Sequence, residues 1–170
     1  MEVWDIPGTV LMEMDDVSMR EILSETIAVV YVFTCQAQSF SEQIQYMSQF
    51  VELAYSVNSS ITFEFLLHKW NSESVTDEKV DLKSEVETQG RKALATRNVP
   101  IDFTLSLTSI YDNSLYIFFS NFMGTVYKKS AAFKALLHTF SEKVPSISTF
   151  LIHMPTRLYI AASRDRKSVV

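Results

Sequence analysis

The stretch ITFEFLLHKWNSES, residues 61–74, runs apolar through Leu67 and turns polar at once. Its apolar residues Ile61, Phe63, Phe65, Leu66 and Leu67 predict a buried strand over 61–68. Buried strands of this kind belong to parallel sheets. In such sheets ligands sit beyond the carboxyl ends of the strands, which is where His68-Lys69-Trp70-Asn71 falls. Whether the reading holds depends on what lies on either side.

Upstream, residues 26–34 (TIAVVYVFT) form a second run of this type, β-branched and aromatic. Before it, residues 2–5 read as a strand stub cut by a Pro7-Gly8 turn, and Asp16-Val17-Ser18 offers caps for a helix to about Glu25. Between the two buried runs, Ser39 or Ser41 caps a helix in which Phe40, Ile44, Met47, Val51 and Ala54 recur at helical spacing, and Asn58-Ser59-Ser60 ends it. Downstream, the polar residues 72–98 carry Glu and Lys at i,i+4 spacing, with Gly90 weighing against an unbroken helix. After Pro100, residues 101–107 predict a third strand, and Asn113 or Ser114 starts a helix to about residue 129. Strand and helix in alternation with short joins predict an α/β fold with a parallel sheet and crossover helices.

The last forty residues break that rhythm. Residues 130–142 are helical in pattern, while 146–153 and 157–163 are strand-like runs separated only by Met154-Pro155-Thr156, a hairpin spacing. Two strands and one helix cannot bury a core unaided. A second unit is therefore expected to start near Ala131 and to be unfinished at residue 170.

Composition narrows the function classes. With 170 residues, 47% hydrophobic and 21% charged, the chain is globular in type. A net charge of −5 provides no basic field for a phosphate backbone, which argues against nucleic acid as a partner. The single Cys35 cannot make an internal disulfide and is expected as a buried thiol in a reducing compartment. No apolar run approaches the roughly 20 residues of a bilayer span, so a cytoplasmic location without direct membrane insertion is expected. His68, His138 and His153 lack metal-ligand spacing. Met12, Met14 and Met19 suit either a binding surface or gap filling, and Phe118, Phe119 and Phe122 suit the packed face of a helix.

Three strand ends carry candidate chemistry. At the first, Asp5 followed three residues later by Gly8 lets a carboxylate approach magnesium while the glycine amide approaches a phosphate. The second is His68-Lys69-Trp70-Asn71. At the third, Thr108-Ser109-Ile110-Tyr111-Asp112, small hydroxyl residues bring backbone amides close to a base. Each alone is a weak signal, and D-x-x-G occurs by chance in many turns. In order, each directly after a predicted strand, they are much more specific.

These residues carry a resemblance. The chain resembles the Rag-type small GTPases of the C/D-like branch, whose members show WDFPG, HKVD and LTSIYDHS where this sequence has VWDIPG, HKWN and LTSIYDNS. AVVYVFTCQ is similar to that branch's ALIYVIDAQ, and RLYIAAS to its KIYIATD. The resemblance implies a P-loop-type GTP-binding domain over residues 1–130 and a roadblock-type α+β dimerisation domain beginning at 131–170. It further implies GTP or GDP with magnesium, contacted by Asp5 (indirectly, through the metal), Gly8, His68, Lys69, Asn71, Ser109 and Ile110. An A/B-type Rag heterodimer partner, a lysosomal or vacuolar scaffold complex, and amino-acid signalling to the target-of-rapamycin complex complete the implied setting.

The departures from the family pattern matter equally. A P-loop, G-x-x-x-x-G-K-[ST], needs two nearby glycines, and the only glycines here are Gly8, Gly90 and Gly124. By resemblance the chain begins at the end of the domain's third strand, so the first strand and the P-loop are expected to be missing, as from an incomplete gene model or isoform. Thr9 stands where signalling GTPases commonly place a water-orienting Gln, so slow or absent hydrolysis is expected and no catalytic residue is assigned. Asn71 stands in place of an Asp that would accept from both N1–H and the 2-amino group of guanine. Its NH₂ opposite that amino group costs on the order of 1–3 kcal/mol and favours a base with a carbonyl at C2, as in xanthine. The alternative reading is an interaction or scaffold fragment that holds no cofactor, with Asn71 an ordinary turn residue.

Overall fold

The structure, a computed structural model, describes residues 3–35, 40–69, 77–127, 130–144 and 149–163, with backbone alone at Thr9, Met12, 77–80 and Ser130. In chain order the elements are α1 (Gly8–Glu13), α2 (Asp16–Glu25), β1 (Ala28–Thr34), α3 (Phe40–Val57), β2 (Thr62–His68) and α4 (Asp77–Thr96). There follow β3 (Leu105–Leu107), α5 (Ser114–Val126), α6 (Ser130–Lys143), β4 (Phe150–Ile152) and β5 (Tyr159–Ala162). The first three strands form one sheet in the order β1-β2-β3. At the start of the β1/β2 pair the Thr62 amide donates to the Ile27 carbonyl, and at its end the Cys35 amide donates to the His68 carbonyl, both at 3.0 Å. Start meets start and end meets end, so the pair is parallel, with α3 as its crossover. The expected α/β class and its parallel sheet are present.

The chain packs as two units, one from the described parts of Met1–Tyr31, Ala37–Phe65 and Asp81–Thr104, the other from those of Val32–Gln36, Leu66–Val80 and Leu105–Val170. In the first, Met19 and Leu23 of α2 meet Ala54 of α3 and Ile61, with Met14, Phe50 and Phe63 packed around them. Met14 and Met19 therefore fill gaps in this core. The cap of α2 is Asp15, one residue earlier than the sequence suggested: its carboxylate accepts from the amides of Val17 and Ser18 at 3.1 and 3.0 Å. At the other end of α2, the Asn58 amide nitrogen donates to the Thr26 carbonyl at 3.0 Å, so the residue that ends α3 also anchors α2. Glu64, midway along β2, has its carboxyl pKa raised by burial.

Gly90 does not interrupt α4. The helix runs through it, and glycine is needed there because a Cβ would lie 2.4 Å from the Phe103 ring, which meets the Phe65 ring tilted by 49° with centroids 4.5 Å apart. Helix α4 closes in a Schellman turn: the Val99 amide donates to the Leu94 carbonyl and that of Asn98 to Ala95, with Asn98 at φ 56°. Arg97, just before that turn, donates to Ser48 Oγ at 3.1 Å and pairs with Glu52, joining α4 to α3.

Two expectations are corrected. Residues 3–5 of the predicted strand stub are not a strand, and Glu2 lies outside the described residues. Val3 and Trp4 are 81% and 61% exposed, so nothing covers the segment as a buried strand would require. The third strand is three residues long, because Ile101–Thr104 approaches as irregular chain while Phe103 fills the space over Gly90.

In the second unit, β4 and β5 pair antiparallel, Phe150 opposite Ala162 and Ile152 opposite Tyr159, with a register shift between Leu151 and Ile152. The predicted hairpin is present with shorter strands. Phe118 stacks on Phe122 and meets Phe119 edge-on, with centroids 5.9 and 5.3 Å apart, as expected for the packed face of α5.

Gly90→Ala tests the packing account. Alanine is the better helix former by up to about 1 kcal/mol, but overpacking against Phe103 costs about 1–3 kcal/mol. A net loss of about 1 kcal/mol is expected as a lower urea midpoint, and that loss should vanish in a Phe103→Leu background. A more stable single variant would contradict this packing.

Candidate functional site

The carboxyl ends of the three parallel strands lie together in the second unit. Thr108, directly after β3, donates its amide to the Leu67 carbonyl of β2 at 3.0 Å. This pairing sets its side chain next to β2's last residue, and His68 Nδ1 lies 3.0 Å from Thr108 Oγ1. From the other side, Cys35 donates its amide to the His68 carbonyl and its Sγ to the Lys69 carbonyl at 3.0 and 2.7 Å. The thiol is half-buried rather than fully buried as the sequence suggested. Pinned at both carbonyls, the chain turns sharply and Lys69 adopts φ 61° with its side chain in solvent. A left-handed non-glycine costs about 1–2 kcal/mol, so the surrounding bonds must hold it there.

The turn after β3 is built from its own hydroxyls and one carboxylate. The Ser109 amide donates to Ser114 Oγ at 2.8 Å, and the Tyr111 amide to Ser109 Oγ at 3.1 Å. The Ser114 amide donates to Asp112 Oδ1 at 2.8 Å, an Asx-turn that starts α5 in place of a cap from Asn113. Hydrogen bonds from the Ser114 side chain and backbone hold the Asp112 carboxyl below its ordinary pKa. Thr108 and Ser109 are buried, whereas Ile110 and Tyr111 are 68% and 87% exposed. Of the amides at 109–111, those of Ser109 and Tyr111 are taken by hydroxyls; that of Ile110 has no acceptor among the described residues.

His68, Lys69, Ser109 and Ile110 are thus gathered by two adjacent strand ends. Asn71 lies outside the described residues, as does Trp70. Asp5 is exposed and Gly8 opens the six-residue α1 in the first unit, with open space where its Cβ would be. Thr9 is the second residue of that helix, and its side chain lies outside the description. Among the described residues no group of three or more His, Cys, Asp or Glu is arranged to hold a metal ion. The β2/β3 rim is polar, ordered by its own bonds, and presents at Ile110 an amide with no acceptor among the described residues. The sequence reading missed Ser114 as the acceptor for Ser109 and Thr108 as the partner of His68. The Asp-x-Ser spacing of 112–114 is a local signal for the former; the latter depends on strand register, which sequence does not show.

Parallel strands joined by crossover helices, with polar turns at their carboxyl ends, make this an α/β protein whose sheet fits a GTPase-like fold. A family model described as Gtr1/RagA G protein conserved region matches residues 1–169, and the chain belongs to the Gtr1/RagA G protein family. The Ras-related GTP-binding protein D of Mus musculus is 27% identical over 161 residues, 94% of this chain and 35% of that protein. The Ras-related GTP-binding protein C of Homo sapiens is 26% identical over 161 residues, 94% of this chain and 40% of that protein. The GTP-binding protein GTR2 of Saccharomyces cerevisiae is 25% identical over 166 residues, 97% of this chain and 48% of that protein. These similarities place the chain on the C/D-like branch. It spans between about a third and a half of the length of these relatives. No helix among the described residues is long and apolar enough to cross a membrane.

The Asp112 carboxylate gives a pH test. Its folded pKa is depressed below the ordinary 3.8, so its contribution is complete above that value and is lost as pH falls through the lower folded pKa. The Ser114 amide resonance should move and its exchange quicken in that acid range, and Asp112→Asn should abolish the transition. A Ser114 amide indifferent to acid would refute the Asx-turn assignment.

Proposed function

We propose that this chain is the C/D-type subunit of a Rag-like switch that reads a purine nucleotide at the rim of β2 and β3. His68, Lys69, Asn71, Ser109 and Ile110 would face the base, and Asp5 and Gly8 the magnesium and phosphates. One observation carries this reading: His68-Lys69 and the LTSIYDNS segment, both similar to the family's, leave adjacent parallel strands, and His68 of one is hydrogen-bonded to Thr108 of the other. The relatives named as GTP-binding proteins support it.

Residues 1–130 are read as the GTP-binding domain and 131–170 as the opening of a roadblock-type dimerisation domain. The exposed Leu136 and Phe140 of α6 and Phe150 and Ile152 of β4 support an apolar face in need of a partner. That partner is proposed to be an A/B-type Rag subunit. A scaffold at the lysosomal or vacuolar surface and amino-acid signalling to the target-of-rapamycin complex extend the same proposal. With Thr9 in place of Gln, hydrolysis is slow. The alternative reading is an interaction subunit that binds no nucleotide.

Equilibrium titration with fluorescent GTP, GDP and XTP decides between them. Saturable, magnesium-dependent binding is expected, with XTP preferred over GTP. Asn71→Asp should raise GTP affinity by about 5- to 140-fold, corresponding to about 1–3 kcal/mol. If none of the three nucleotides binds, the switch reading falls and the interaction reading stands.

A further inference from the structure

Helix α5 touches two distant features of the second unit. At its first residue, Ser114 closes the turn after β3 through Ser109 and Asp112. Along one side, Tyr116, Ser120 and Gly124 recur every four residues and so share a face. Each of them meets β5 or the chain leading into it. The Tyr116 hydroxyl donates to the Arg157 carbonyl at 2.5 Å, and its ring meets that of Tyr159 edge-on with centroids 5.9 Å apart. The Tyr159 amide donates to Ser120 Oγ at 3.4 Å, and a Cβ on Gly124 would sit 3.8 Å from the Ile160 carbonyl.

The hairpin end held by Tyr116 is itself under tension. Arg157 has φ 57°, and this left-handed turn is closed by the Arg157 amide on the His153 carbonyl and the His153 amide on that of Leu158. A β-side-chain residue in that region costs about 1–2 kcal/mol. The tyrosine hydroxyl engages the carbonyl of that very residue. Ser114 and Tyr116 are two positions apart on one helix, so the turn after β3 and the β4–β5 hairpin are fastened to the same rigid segment.

We propose that α5 couples these two features, with Tyr116 as a positioning residue that latches the hairpin to the helix whose start is set by the Ser109–Ser114 turn. Displacing either one then loosens the other. Any molecule that orders or distorts the turn is felt at the hairpin, and any partner that seizes the hairpin is felt at the turn. The coupling does not depend on whether the turn holds a base.

Hydrogen exchange on the whole chain, amide by amide, tests it with two conservative variants. Tyr116→Phe removes one hydroxyl and should quicken exchange at Arg157 and Tyr159 and, reciprocally, at Ser109 and Ser114, by roughly two- to tenfold. Ser114→Ala should quicken Ser109 and also Arg157 and Tyr159. Changes confined to the mutated side, or no change, would overturn the coupling. A uniform rise that includes Leu66 and Leu67 of β2 would also overturn it, because it would mark general destabilisation instead of a link.

Discussion

Phe65, Leu66 and Leu67 are three consecutive residues of β2, and all are buried. Successive side chains of a strand point to opposite faces, so this run requires cover on both sides of the sheet. A strand with two dry faces has no place at a wet edge, and β2 is the middle strand of three. Placing it there obliges the chain to cross over the sheet between strands, which α3 and α4 do, joined to each other by Arg97. The parallel direction, the short joins and the polar turns at the strand ends all follow from that one demand.

The same demand shapes the rim. Parallel pairing brings all carboxyl ends to one edge, so the chain leaving β2 and the chain leaving β3 must turn side by side. Their turns are held by unlike means. After β2, the carbonyls of His68 and Lys69 are held by the neighbouring Cys35, which forces a left-handed residue. After β3, the turn holds itself through Ser109, Asp112 and Ser114. The first turn is thus set by tertiary contact and the second by local sequence, although they stand together.

That difference explains what was legible. The buried strand β2 and the crossover helices depend on simple burial periodicity and read directly from the chain. By contrast β1, expected to be covered on both sides, is mostly half-buried with Val32 54% exposed. The Asp-x-Ser start of α5 was missed although its signal is local. Gly90 misled, because glycine in a helix signals a break unless a ring arriving from residue 103 needs its space. Residues 3–5 misled for the opposite reason, since a short apolar run is a strand only where something covers and pairs with it. Cys35 fell between: an apolar neighbourhood suggests burial, but its thiol sits at a strand end where a carbonyl competes for it.

By itself the sequence determined that residues 61–68 are a buried strand, which segments are amphipathic helices, and which polar residues follow the strands, and the resemblance those residues carry led to the family. Tertiary structure alone decided that His68 meets Thr108, that Arg97 joins α4 to α3, and that Tyr116 reaches Arg157. Those pairs are separated by 40, 45 to 49, and 41 residues. Hydrophobic burial is a property each segment carries alone, so it is written in the local pattern. A hydrogen bond between distant residues depends on register and crossing angle, which no single segment contains.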